Sequence, residues 1–225
     1  LPKPALNYRD EPIGDVQARG ISADGRIIYG TTWDNRDYGL VYWDENGEVH
    51  YVGEDVRYCR PVERPDGHGG TFTYNLCDGM WTTATNTNVS PNGKYIAGTF
   101  RREALEEGAE SSVVETNYPA FFNTETGKTV IFEELVGGGG VAATSDGLGF
   151  TADSTFGPSS GKVVDIENGI VLGSALEWIE STYGILVPAG YITYMPDSKD
   201  RFLGAMLYTG GPVVEGINWY VGPAR

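Results

Sequence analysis

One ten-residue pattern recurs along this chain and constrains its fold more than any other feature. Ile21-Ser22-Ala23-Asp24-Gly25-Arg26-Ile27-Ile28-Tyr29-Gly30 and Val89-Ser90-Pro91-Asn92-Gly93-Lys94-Tyr95-Ile96-Ala97-Gly98 both obey S-x-[DN]-G-x-x-x-x-G. Thr144-Ser145-Asp146-Gly147, with Ala152 in place of the last Gly, is a weaker third copy, and Pro196 to Gly204 is a degraded fourth. The closing positions 30, 98, 152 and 204 lie 68, 54 and 52 residues apart. Self-similarity at such a period belongs to repeat architectures. Asp-Gly and Asn-Gly predict a two-residue hairpin turn with positive φ, the preceding Ser bonding to turn backbone. The closing Gly predicts a place where backbone or an aromatic ring comes close.

Each copy is followed by a second hairpin. Residues 39–43 lead through Asp44-Glu45-Asn46-Gly47 to 48–52, residues 120–122 through Thr124-Glu125-Thr126-Gly127 to 128–132, and residues 162–166 through Glu167-Asn168-Gly169 to 170–172. The fourth unit ends on Gly216 to Val221. Two consecutive hairpins every 50 to 70 residues is the arithmetic of β-propeller blades. The expected fold class is all-β: a single-domain propeller, 1–225, of about four 4-stranded antiparallel blades (16–80, 81–135, 139–188 and 190–225). Residues 1–15 are expected to supply a closing strand; the alternative is that these blades are part of a larger propeller. Trp43, Phe122 and Trp219 share a third-strand position and are assigned to the core, as are Ile27, Ile96 and Leu203.

Ser90 to Gly98 resembles the S-P-D-G-K-x-I-A repeat of TolB-like, WD40-like propellers. Ile21 to Gly30 followed by Tyr42-Trp43 is similar to the S-x-D-G-x-x-x-x-G…W repeat of bacterial secreted proteins. The resemblance implies an extracytoplasmic protein, periplasmic, cell-surface or secreted, that acts as a binding or scaffolding platform. Its motifs specify turns and packing rather than a reaction. The sialidase-type box S-x-D-x-G-x-x-W is not matched, because Gly25 and Gly93 directly follow Asp24 and Asn92.

Charge narrows the partners. With 16 Lys+Arg against 31 Asp+Glu, the net charge is −15, which argues against nucleic acid. Residues 101–180 hold 14 of the acids and 4 of the bases. No window approaches ~18 apolar residues, so no transmembrane segment is expected. Two Cys and two His exclude a Cys-rich zinc site and leave little for a His-based one, so no metal ligand and no cofactor is assigned.

Blade topology sends the variable connections to one face, where long loops on a rigid scaffold carry function. The 53–80 insertion holds Cys59 and Cys77 with 17 residues between them, read as a disulfide, with two free thiols as the alternative. The charged run 101–110 reads as a short exposed helix. Residues 174–183, with Ser174, Glu177 and Gly184 in capping positions, read as an amphipathic helix. No triad is assigned: His68 lies in a Gly-rich loop, His50 alternates in a strand, and G-x-S-x-G is absent. Gly137 to Gly140 lacks the Lys-Ser/Thr ending of a phosphate loop and reads as entry to a central strand. The candidate ligand-binding residues are Trp33, Asp34, Arg36 and Tyr38 in one loop and Arg101 and Arg102 in another. Their chemistry suits a glycan, peptide or protein partner. The alternative is a glycoside hydrolase or lyase using paired carboxylates on the same scaffold.

Overall fold

A computed structural model describes residues 1–7, 10–33, 39–82, 88–106, 113–153, 161–184, 191–194, 203–206 and 218–221. Strands dominate it, and consecutive strands pair antiparallel within successive sheets. The first sheet runs β1 (Asp15–Ile21), β2 (Ile28–Trp33), β3 (Leu40–Trp43) and β4 (Val49–Tyr51) in chain order. A hairpin of β5 (Cys59–Pro65) and β6 (Thr71–Cys77) follows. In the second sheet, β7 (Met80–Thr82) and β8 (Asn88–Val89) share one flank of β9 (Tyr95–Leu105), which pairs with β10 (Val113–Asn123) and through it with β11 (Lys128–Ile131). The third is β12 (Gly138–Ala143), β13 (Leu148–Asp153), β14 (Lys162–Asp165) and β15 (Ile170–Ser174). After helix α1 (Ala175–Tyr183) come β16 (Tyr191–Tyr194), β17 (Leu203–Met206) and β18 (Asn218–Val221), paired in that order.

The repeat makes the turns, by a route that differs from a two-residue hairpin. Ser22 N–H donates to Ile27 O at 2.8 Å, enclosing four residues, and Gly25 N–H donates back to Ser22 O at 2.9 Å. Only Gly25, at φ 78°, takes a positive φ. Asp24 works through its carboxylate instead, which accepts Ser22 Oγ–H at 2.6 Å and Arg26 N–H at 3.1 Å. Ser22 Oγ in turn accepts Ile27 N–H at 3.0 Å. Ser90, Asn92, Lys94 and Tyr95 repeat the same bonds, and Thr144 substitutes its hydroxyl for Ser in the third copy. The side chains close the loop from inside, so no second left-handed residue is needed. The fourth turn, 196–202, lies outside the described residues.

Successive turns are also bonded to each other. Asp24 N–H donates to Pro91 O, and Asn92 Nδ2 donates to Ser145 O, each at 3.2 Å. The third turn residue of one repeat thus reaches the second turn residue of the next. Below the turns, β1 lies against β8, β8 against β12 and β12 against β16, so edge strands of successive sheets are neighbours.

Close packing explains the closing glycine. A Cβ on Gly98 would stand 2.7 Å from the fully buried Trp81 ring, and a Cβ on Gly140 would stand 3.0 Å from Gly98 N. The Gly137–Gly140 run accordingly enters β12, against the second sheet. Trp43, Ile96, Phe122 and Ile27 are core residues as expected; the side chains of Leu203 and Trp219 lie outside the described set. Helix α1 forms as read, ending on Gly184 at φ 67° whose N–H bonds Glu180 O, though the Ser174 hydroxyl makes no capping bond. Ile179 is buried, and Trp178 meets the Phe150 ring edge-to-face at 5.2 Å, which fixes α1 on the third sheet. No described helix is long and apolar enough to cross a membrane. Residues before β1 bridge Leu6 to Pro12 and lie on the first sheet, where Trp43 Nε1 donates to Pro2 O at 2.7 Å.

Candidate functional site

Within the charged run 101–110, read as a helix, residues 101–105 form strand instead, and residues 107–110 lie outside the described residues. Residues 99–105 continue β9, and Leu105 pairs with Val113 across the hairpin. Ala, Leu and Glu favour helix intrinsically, but such propensities amount to tenths of a kcal/mol per residue and yield to tertiary pairing. Here the pairing is specific. Arg101 Nη1 meets Glu115 at 3.0 Å, and its Nε donates to Asn117 Oδ1 at 3.2 Å. Arg102 Nη2 meets Glu133 at 2.6 Å, and its guanidinium lies over the Phe100 and Tyr118 rings, at 5.8 and 5.5 Å. The Glu133 hydrogen bond holds the Arg102 guanidinium above its ordinary value.

Consecutive strand residues point to opposite faces. Arg101 therefore shares a face with Glu103, and Arg102 shares the other with Phe100, so the two arginines do not line one surface. Trp33 ends β2 opposite Asp15. Asp34, Arg36 and Tyr38 lie outside the described residues.

The residue that organises this end of the molecule is Glu103, which the sequence reading did not single out. It is only 2% exposed although it sits in a charged run. Its carboxylate accepts Cys77 N–H at 2.9 Å and Tyr74 Oη–H at 3.3 Å. The 53–80 insertion thus folds as hairpin β5–β6 and docks its second strand on β9. The disulfide is formed: Cys59 and Cys77 stand opposite each other in register at the base of the hairpin. At its tip, Asp66 accepts the amides of His68 and Gly70 at 2.8 and 2.9 Å, bonds that hold its carboxyl below the ordinary value.

Two long hairpins thereby meet at the end from which the variable connections emerge. Phe72 lies two residues from Tyr74 and Leu105 two residues from Glu103, each on the strand face that carries the contact. Both side chains stay in solvent, at 41% and 42% exposure, as does Val114. Beside the hairpin base, an open cleft is lined by Asp10, Glu54, Arg57, Tyr58 and Cys59. It holds two carboxylates near an exposed tyrosine, but Asp10 is tied to Arg57 at 2.9 Å. At the other end, the turns enclose a shallow cleft of about 170 Å³ among Arg26, Asp44, Asn92, Lys94 and Glu125. No family model, no curated protein and no solved structure matches the chain.

Proposed function

We propose that this chain is an extracytoplasmic, propeller-like repeat module that binds a protein partner, without catalysis, through the end where hairpins β5–β6 and β9–β10 meet. The observation that carries this reading is the Glu103 contact. A buried carboxylate is spent on fixing one hairpin against the other, and the apolar side chains next to that contact are left in solvent. Rigid display of apolar and aromatic side chains within a polar surround is the composition of a protein-binding patch. The repeat reading is supported by edge strands that neighbour one another from sheet to sheet and by the turn-to-turn hydrogen bonds. The disulfide is consistent with an oxidising compartment.

The test compares the wild-type chain with a Phe72→Ser/Leu105→Ser variant as baits for extracytoplasmic proteins, with a glycan array alongside. The expected result is a partner retained by wild type and lost by the variant at unchanged thermal stability. Equal capture by both proteins, or glycan binding that the variant retains, would refute this assignment of the patch.

A further inference from the structure

The turn between β3 and β4 brings together three side chains from Asp44, Glu48 and His50. One donor atom from each lies within 4.8 Å of the other two. The hairpin register explains the grouping. Trp43 pairs with Val49 and Tyr42 with His50, so Asp44 and Glu48 flank the turn, and Asp44 N–H donates to Glu48 O at 3.0 Å. Asp44 Oδ1 is occupied by the amides of Asn46 and Glu48, both at 2.9 Å, which leaves Oδ2 facing the imidazole. The imidazole plane is set by stacking on Tyr42, with ring centres 5.0 Å apart and 25° between planes.

From this arrangement we infer a binding site for a zinc-class divalent transition-metal ion, held by Asp44 Oδ2, Glu48 and His50 Nε2. Carboxylate and imidazole donors each bind zinc at about 2.0–2.2 Å, which puts neighbouring donors of a tetrahedral ion about 3.4 Å apart. Asp44 Oδ2 and His50 Nε2 already stand 3.2 Å apart. The mixed nitrogen and oxygen set distinguishes this group from the purely acidic clusters expected on a chain with 31 acids. It also selects the ion, since imidazole suits zinc and its neighbours whereas calcium takes oxygen alone. His50 is partly exposed at the rim of the turns, and three protein donors leave a coordination position open to water or to a partner's side chain. The ion replaces the proton between His50 and Asp44, so the site forms without rearranging the hairpin.

Titration calorimetry of the chain with zinc chloride, with calcium chloride as the contrasting ion, tests this. We expect one zinc ion per chain, no calcium heat, and weakening by more than about tenfold in His50→Ala and in Glu48→Gln, comparable to or beyond the loss of an outer-sphere partner. His68→Ala, which removes the other imidazole, should leave the affinity unchanged. A measurement on the wild-type chain guards against misfolded variants: zinc should shift the ring resonances of His50 and leave those of His68 in place. No saturable zinc binding, binding that survives His50→Ala, or a shift at His68 alone would each overturn the site.

Discussion

Glu103 on β9 accepts the backbone N–H of Cys77 on β6 at 2.9 Å, and this bond, with the longer one from Tyr74 Oη–H, joins the disulfide hairpin to the longest hairpin of the second sheet. The carboxylate is buried, so its loss removes the acceptor of the Cys77 amide inside the contact. Leaving a buried donor unsatisfied costs about 1–3 kcal/mol. Glu103→Ala should therefore lower stability by that amount in urea unfolding, whereas Glu103→Gln, which keeps an acceptor oxygen, should lose less. Equal losses in the two variants would show that the acceptor is not what matters.

The disulfide gives a second prediction. It closes a loop of sequence separation 18, for which the chain-entropy model gives about 3 kcal/mol. Reduction, or Cys59→Ser with Cys77→Ser, should lower the unfolding midpoint accordingly. It should also raise amide exchange across 59–77 before it affects β1 to β4. Uniform loosening of both regions would contradict a local role for the bridge.

Much of the fold was legible because the signals were local. The hydroxyl of Ser22, Ser90 or Thr144 needs only an Asp or Asn two residues on to close its turn, and both residues stand in the repeat. Helix α1 carried its own stop at Gly184. The β9–β10 arm was not legible, since its strand state is decided by residues far along the chain: Glu115 and Asn117 for Arg101, Glu133 for Arg102. Glu103 looked like one more surface acid because its burying partners, Tyr74 and Cys77, come from an insertion 26–29 residues earlier. The Asp44, Glu48 and His50 group was within reach once residues 44–47 were read as a turn, because residues flanking a hairpin turn become neighbours.

Two glycines separate steric from conformational cost. A Cβ on Gly25 meets nothing within 4 Å, so Gly25→Ala pays only for φ 78°, about 1–2 kcal/mol. Gly98→Ala retains an ordinary backbone but drives a methyl into the Trp81 ring in a closed core, at about 1–3 kcal/mol. Adding Trp81→Phe, which trims that ring, should recover part of the loss in Gly98→Ala and none in Gly25→Ala. Chemical denaturation of the single and double variants measures this, and strict additivity at both positions would refute the steric account.

Acid should weaken the joint between the second and third sheets. Glu167 accepts Lys94 Nζ at 2.7 Å and Tyr95 Oη–H at 2.6 Å, and these bonds hold its carboxyl below the ordinary 4.5. Asp66 and Asp165 are held below 3.8 by turn hydrogen bonds of their own. A carboxyl with a depressed folded pKa contributes stability that is fully present above its unfolded value and lost as pH falls through the folded one. Stability should thus decline from about pH 4.5 downwards. Lys94 has the opposite sign: the Glu167 bond raises its pKa, so its share is present below 10.5 and lost as pH rises beyond it. In Glu167→Gln the acid-sensitive contribution of this joint is gone. The stability gap between wild type and variant should therefore be widest near neutral pH and narrow towards about pH 2.5. Urea midpoints at the two pH values decide it, and a gap that stays constant would mean that the Glu167 charge does not contribute.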